Sequence, residues 1–231
     1  MATNHNIYIG YVTRNRYTIF KKFWGALLNS FNKDSMGKTG TTIVGWKGKD
    51  FVLLVSDRQS TYGSTIGNTK AKKVFLVGNN FGISFAGGLG DAQKIMRVLD
   101  GQVRLYEVER EKKMKTSAIS NYVSNVLNYT RYYPYMAFFL IAGFDSKPEL
   151  YSVDLVGGSE SMEKYTAFGS GSMFAIGYLE QNYSGKFNKK QALEQVVKAI
   201  SSSKKKDVYT GGEGLDYIVI DKNGIEEGSI E

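Results

Sequence analysis

Cysteine is absent from this 231-residue chain, and histidine occurs once, as His5. The first absence excludes disulfides, zinc–thiolate sites and cysteine nucleophiles together. The second excludes a histidine-based triad or a histidine metal cluster in the body of the chain. Any hydrolytic chemistry must therefore use Ser, Thr, Lys, Asp, Glu or an amine. Proline occurs twice against 26 glycines, so turns fall to Gly, Asn and Asp. No apolar run reaches the roughly 18 residues of a membrane span, and no membrane partner is expected. A chain without cysteine fits a cytoplasmic setting better than a secreted one.

What is present suits one globular domain with a real core, since 42% of residues are hydrophobic. The net charge is +8. The basic runs "KAKK" and "SKKKD" lack the aromatic interleaving of a nucleic-acid groove, so the excess lysine reads as a solvated surface and no nucleic-acid partner is expected.

The first forty residues differ from the rest. Tyr17, Phe20, Trp24, Leu27 and Phe31 recur at three- and four-residue steps, one face of a helix, with Arg14, Arg16, Lys21 and Lys22 beside it. A signal peptide does not fit, because charges interrupt the apolar region. Three readings remain open: a helix lying on a membrane surface, a pro-segment helix docking on a partner, or a start-site artefact over residues 1–35 with Met36 as the true start.

From Thr41 the pattern is regular. "TTIVGWKGKDFVLLVSDR" predicts a hairpin turning at Lys47–Asp50, and "KKVFLVGNNFGISFAG" a second, turning at Gly78–Asn80. A long helix is predicted from Leu89, with Ala92, Met96, Leu99, Val103 and Tyr106 on its inner stripe. A second runs from Ser117 to Tyr132 with Ile119, Val123, Val126 and Thr130 inward, ended by Pro134. "MAFFLIAGFD" and "ELYSVDLVGG" read as strands joined at Ser146–Pro148, and "EKYTAFGSG" as another. Helices follow at Ser172–Asn182 and Lys189–Lys206, then a hairpin turning at Lys222–Gly224. Strands, two helices, strands, two helices, strands: hairpins imply antiparallel sheets, and helix pairs must cover them. The expected class is α+β, a four-layer αββα sandwich of two antiparallel sheets flanked by helix pairs. A doubly wound parallel sheet would alternate single strands with single helices.

Three glycine motifs mislead. "GKT" at Gly37–Thr39 lacks the glycine of a phosphate loop, having Asn32 there, and no strand precedes it. "AGGLGDAQ" and "GSGS" are strand–glycine–helix joints that suit a tight turn as well as an anion. "GSGS" is not a nucleophile elbow, and no histidine exists to serve one.

The segment "GTT" at Gly40–Thr42 carries more. Were the Gly40–Thr41 bond cut, Thr41 would own both a hydroxyl and a free α-amine, a base of pKa about 7.7–8.0 within reach of that hydroxyl. Its β-branched side chain has few rotamers. Gly40 would let the backbone bend so that the hydroxyl meets the preceding carbonyl. Alone, the segment reads equally as a loop running into a strand. Asp57, at the end of the second strand, falls across the hairpin near Thr41, and Lys73 starts the next ordered strand. A lysine lowers the pKa of a nearby hydroxyl, and an aspartate holds that charge in place. Each also reads as a solvated strand-end charge.

The segments "TGTTIVG", "SDRQSTYG", "KAKKVF", "FAGGLGDAQ", "YYPYMAFFLIAGFD", "LYSVD" with "GG", "FGSGSMFAIGYLE" and "AISSSKKKDVYTGG" resemble, in order, those of archaeal-type proteasome β subunits, of the N-terminal nucleophile (Ntn) hydrolases. The bacterial two-ring relative shares "TTIV" and "FAGG", but "YYPYM" and "GSGSMFAIGYLE" favour the proteasome proper. The resemblance implies the Ntn-hydrolase fold over residues 41–231, behind a pro-segment at 1–40. It implies autocatalytic cleavage at Gly40–Thr41, Thr41 as the nucleophile, Asp57 and Lys73 beside it, and Gly87 as the oxyanion-hole donor. Ser170, Asp207 and Thr210 would orient the α-amine; the family usually has serine at the position of Thr210. Substrate would add as a β-strand near Thr61 and Gly87. Ala71, Phe85 and Leu89 would line an apolar pocket, implying cleavage after hydrophobic residues. The implied activity is a threonine endopeptidase acting on unfolded proteins, in heptameric β rings stacked on α rings. No metal or cofactor is implied, and ATP acts through a separate unfoldase cap. Two alternatives stand beside this: a non-catalytic structural β-ring subunit, and an amidohydrolase of the same fold acting on a small amide.

Overall fold

The computed structural model describes residues 40–231. The expectations placed on residues 1–39, including the Tyr17–Phe31 helix and the Met36 start, lie outside the described residues.

Twelve strands and four helices follow one another. Strands β1 (Thr42–Lys47), β2 (Phe51–Asp57), β3 (Ser60–Tyr62), β4 (Thr65–Asn68), β5 (Val74–Val77) and β6 (Phe81–Gly87) precede helices α1 (Leu89–Arg110) and α2 (Thr116–Tyr129). Strands β7 (Ala137–Phe144), β8 (Pro148–Val153), β9 (Ser159–Ser161) and β10 (Tyr165–Gly169) precede α3 (Ser172–Asn182) and α4 (Lys189–Lys204). Strands β11 (Leu215–Asp221) and β12 (Gly224–Ile230) close the chain. One antiparallel sheet has the order β10-β1-β2-β11-β12, the other β5-β6-β7-β8-β9, and β3-β4 form a separate ribbon.

The period-2 alternation of strand side chains sorts the apolar residues into three layers of contact. Val44, Trp46, Leu53 and Val55 meet Ala175 and Leu179 of α3 and Ala192 and Val196 of α4. Their neighbours Ile43, Val52 and Leu54 turn the other way and meet Leu140, Ala142 and Leu150 of the second sheet. That sheet sends Ile83, Phe85, Phe139 and Ile141 to Ile95 and Leu99 of α1 and Ile119 and Val123 of α2. Both sheets are thus covered on both faces, as the four-layer expectation requires. Sheet burial also explains why β2 is apolar throughout: it is central, and all seven of its residues are buried. Truncating a centre residue such as Leu54 to alanine costs about 2–5 kcal/mol.

Several boundaries differ from expectation. Helix α2 ends at Tyr129, not Tyr132, because the Thr130 hydroxyl and backbone turn back onto the Val126 carbonyl before Pro134 is reached. Its inner face holds Leu127, while Val126 and Thr130 are half-buried. Ile95 joins the α1 stripe, where Tyr106 is only half-buried. Helix α4 stops at Lys204 rather than Lys206, because the chain turns there to bring the Asp207 N–H onto the Ser203 carbonyl, 2.8 Å. Its start is fixed by a capping box between Asn188 and Gln191. Pro148 and Gly224 belong to strands rather than turns. Strands β3, β4 and β9 were not foreseen.

Candidate active site

The sandwich brings its sequence-predicted residues to one end. Thr41 precedes β1, Asp57 ends β2, Lys73 precedes β5, Gly87 ends β6 and Leu89 begins α1. Ser170 lies between β10 and α3, while Asp207 and Thr210 lie between α4 and β11. The antiparallel register of β1 on β2, with Ile43 opposite Ser56, carries Asp57 beside the start of β1.

Asp57 is the hub. Its Oδ1 accepts from the Thr41 hydroxyl at 2.5 Å, the Thr42 N–H at 3.0 Å and the Lys73 ammonium at 2.6 Å. Its Oδ2 accepts from the N–H groups of Gln59 at 3.3 Å and Gly211 at 2.9 Å. Lys73 also donates to the Thr41 hydroxyl. Asp57 is 0% exposed and Lys73 5%, so this pair works in a poorly solvated setting where charge interactions are strong. Burial pushes the Lys73 ammonium below its usual range, against the pull of Asp57; nearby Lys204 pushes the same way as burial.

A second network holds the Thr41 nitrogen. In the uncleaved chain this atom is a peptide N–H, standing in for the α-amine that cleavage would create. It donates to the Ser170 hydroxyl at 3.3 Å. Ser170 donates to Asp207 Oδ2 at 2.5 Å, and Thr210 donates to the same oxygen at 2.5 Å. Thr210 does not touch Thr41. Its hydroxyl meets that of Thr42 at 2.7 Å, and both side chains are buried.

Beside Thr41 opens a cavity of about 370 Å³ lined by Thr61, Ala71, Phe85, Gly87 and Leu89 among others. All four residues expected to contact substrate, Thr61, Ala71, Phe85 and Leu89, therefore share one cavity with the nucleophile. Phe85 stacks on Phe75, centroids 6.1 Å apart, as an aromatic floor. Gly87 has φ +129°, and a Cβ there would overlap the Met136 carbonyl oxygen and lie 3.0 Å from the Ala137 Cα. Only glycine fits this position.

The pattern of two sheets, two helix pairs and a terminal-strand threonine has a counterpart among known sequences. The family model described as "Proteasome subunit" matches residues 37–219. The chain belongs to the proteasome β-subunit family. "Proteasome subunit beta 2" of Thermococcus gammatolerans is 40% identical over 194 residues, covering 84% of this chain and 96% of that one. "Proteasome subunit beta" of Methanoregula boonei is 38% identical over 194 residues, 84% of this chain and 91% of that one.

Sequence reasoning missed three parts of this β-subunit site. Gln59, 5% exposed, donates from Nε2 to the Val208 carbonyl at 3.0 Å and so ties the Asp207 loop to the end of β2. Lys204, half-buried, donates to the carbonyls of Gly212 at 3.2 Å and Gly214 at 3.5 Å, and burial lowers its pKa. It steadies the loop whose Gly211 N–H reaches Asp57. Tyr209 stands against Gly40. The run "KKKDVYTGG" marks the loop, but backbone donors and contacts carry no side-chain signature. Among the described residues, no group of three or more His, Asp or Glu is placed to hold a metal ion, and no helix is long and apolar enough to cross a membrane.

Proposed function

We propose that this β subunit is a threonine endopeptidase that frees its own nucleophile by cutting Gly40–Thr41, so that residues 1–40 act as a removable segment and 41–231 as the catalytic domain. The observation that carries the reading is the convergence of Lys73 and Asp57 on the buried Thr41 hydroxyl, with the Thr41 nitrogen held separately by Ser170. A merely structural subunit has no use for a charged pair enclosed around a hydroxyl, because burying charges costs several kcal/mol before they attract one another.

Two acyl transfers follow. In self-cleavage the Thr41 Oγ attacks the Gly40 carbonyl carbon, the Gly40–Thr41 amide breaks, and the hydroxyl proton ends on the departing nitrogen. Water then cleaves the ester, restoring the hydroxyl and leaving Gly40 with a carboxylate. In each later turnover the new α-amine, with a pKa of about 7.7–8.0, takes the hydroxyl proton. Lys73 stabilises the developing alkoxide, and Asp57 keeps the ammonium in place. Ser170, Asp207 and, through Asp207, Thr210 orient the amine. The Gly87 N–H serves the oxyanion of the tetrahedral intermediate. Substrate adds as a β-strand along Thr61 and Gly87. The apolar floor of Phe85, Ala71 and Leu89 favours a hydrophobic residue before the cut.

Proteasome relationship also supports assembly with other proteasome subunits: β subunits in a seven-membered ring, stacked on α rings, fed with unfolded protein by an ATP-dependent unfoldase in the cytoplasm. The test is direct. The assembled particle should contain a chain whose mass begins at Thr41 and should hydrolyse fluorogenic peptides, and Thr41→Ala should lose both. A particle that keeps Gly40 and never cleaves peptides identifies a structural subunit instead. Hydrolysis of small amides with no action on longer peptides identifies the amidohydrolase alternative.

A further inference from the structure

The residue before the nucleophile is held as firmly as the nucleophile. Gly40 is buried, and its N–H donates to the Thr61 hydroxyl at 3.2 Å. Against it stands Tyr209. A Cβ at residue 40 would overlap the Tyr209 Cβ, lie 2.6 Å from its Cγ and lie 2.8 Å from its Cα. Cβ and Cα positions follow the backbone, so no rotamer change of Tyr209 clears this overlap. The backbone there is itself tied down. The Tyr209 N–H donates to Asp207 Oδ1 at 3.2 Å, the Thr210 N–H to the Asp207 carbonyl at 3.3 Å, and Gln59 to the Val208 carbonyl at 3.0 Å.

Gly40 therefore turns the position of a side chain towards Tyr209. The cavity beside Thr41 is lined by Gly40 and Thr41 but not by Tyr209. A substrate residue that places its side chain in that cavity must sit on Thr41 in a different orientation from Gly40. The two acyl transfers at Thr41 thus meet different surroundings.

We infer that Tyr209 is a positioning residue for the first of them, self-cleavage, and is dispensable for later turnover. The inference rests on the self-cleaving reading above and adds the residue that steers it. Ser170 holds the nitrogen of the scissile bond, and Asp57 and Lys73 hold the attacking oxygen. What remains to be fixed is the acyl carbon, and Tyr209 with the Thr61 hydroxyl fixes the residue that carries it. An attack of this kind loses on the order of a hundredfold when the reacting atoms are displaced by about 1 Å. The same wall makes glycine obligatory at residue 40.

The experiment follows the mass of the full chain through assembly, and peptide turnover per processed chain, for wild type, Tyr209→Ala, Gly40→Ala, Tyr209→Gly and the Gly40→Ala/Tyr209→Gly double variant. Tyr209→Ala is expected to process on the order of tenfold more slowly. Its turnover per processed chain is expected within about twofold of wild type. Gly40→Ala should block processing far more in the wild-type background than beside Tyr209→Gly, because only the latter supplies room for the added Cβ. Tyr209→Ala processing at the wild-type rate, or an equal Gly40→Ala penalty in both backgrounds, overturns the inference alone. So does turnover falling in step with processing. A wild-type chain that keeps Gly40 overturns the self-cleaving reading and this inference with it.

Discussion

The Lys73 Nζ lies 2.6 Å from the Asp57 Oδ1, and both residues are almost wholly enclosed. Asp57 pulls the ammonium towards its charged form, but burial wins, and the Lys73 pKa falls below the ordinary 10.5. Activity that needs a charged Lys73 and a neutral α-amine must then be bell-shaped in pH. The acid limb should follow an amine near pH 8, within about a unit. The alkaline limb should lie below pH 10.5. Stability moves the other way. Below the folded Lys73 pKa both states carry the proton. Between it and 10.5 the unfolded chain binds more protons, so this group makes stability rise with pH across that window. The kcat/KM profile of the processed particle and its Tm as a function of pH check the two limbs separately. Full activity persisting above pH 10.5 would rule out a charged Lys73 as the working form.

Removing either partner of this pair should destabilise unequally. Without Lys73, Asp57 keeps the Thr41 hydroxyl and the N–H groups of Thr42, Gln59 and Gly211. Without Asp57, those three backbone donors lose their acceptor together, and Lys73 faces only the Thr41 hydroxyl among its printed neighbours here. Asp57→Ala is expected to cost about 3–5 kcal/mol, the usual loss for breaking a buried pair from one side. Lys73→Met should cost less, since its replacement is apolar and its acid remains hydrogen-bonded. Denaturant unfolding of the two variants checks the order, and a larger loss for Lys73→Met would contradict it.

The contrast between these two residues also marks what the sequence could reveal. Thr41, Asp57 and Lys73 sit at the ends of strongly apolar strands, so register alone predicts their meeting. The αββα layering was equally legible, because β1, β2, β6 and β7 are dense apolar runs between clear turns. The ribbon β3–β4 was not, since every residue of β4 is exposed and no apolar alternation marks it. The same holds for β9, exposed throughout. Within the site, the Gly211 N–H reaches Asp57 across 154 positions of sequence, and Tyr209 meets Gly40 through atoms common to most residue types. Such contacts are set by how the α4–β11 loop folds back on β2, and a local pattern does not encode that.

Thr210 gives a prediction that separates hydroxyl from shape. Its Oγ bridges Thr42 and Asp207, with all three atoms away from the Thr41 hydroxyl itself. Thr210→Val keeps the volume but leaves the Thr42 hydroxyl and one side of the Asp207 carboxylate without that partner. The expected loss is about 1–3 kcal/mol of stability. Turnover per processed chain should fall on the order of tenfold, because the Asp207 that orients the amine through Ser170 is no longer fixed. Thr210→Ser should restore both within about twofold, as the residue the family uses there. Equal rates for the valine and serine variants would show that only volume matters at this position.

Phe85 should set how large a side chain the cavity accepts. It is 2% exposed, belongs to the layer under α1 and α2, and stacks on Phe75 beneath the cavity of about 370 Å³. The same ring therefore serves the core and the cavity floor, so Phe85→Ala should both destabilise the fold, by about 3–5 kcal/mol, and deepen the cavity. Phe85→Leu removes less volume and keeps an apolar contact with Phe75, which makes it the better probe of selectivity. Differences of one or two methylenes in an apolar pocket discriminate about 10–200-fold. Phe85→Leu is accordingly expected to raise kcat/KM for peptides with tryptophan before the cut, relative to valine, by on the order of tenfold. Acidic residues should gain nothing, because the nearest rim cation, Lys72, is already paired with Glu227. An unchanged tryptophan-to-valine ratio in this variant would mean that substrate side chains do not reach the Phe75–Phe85 floor.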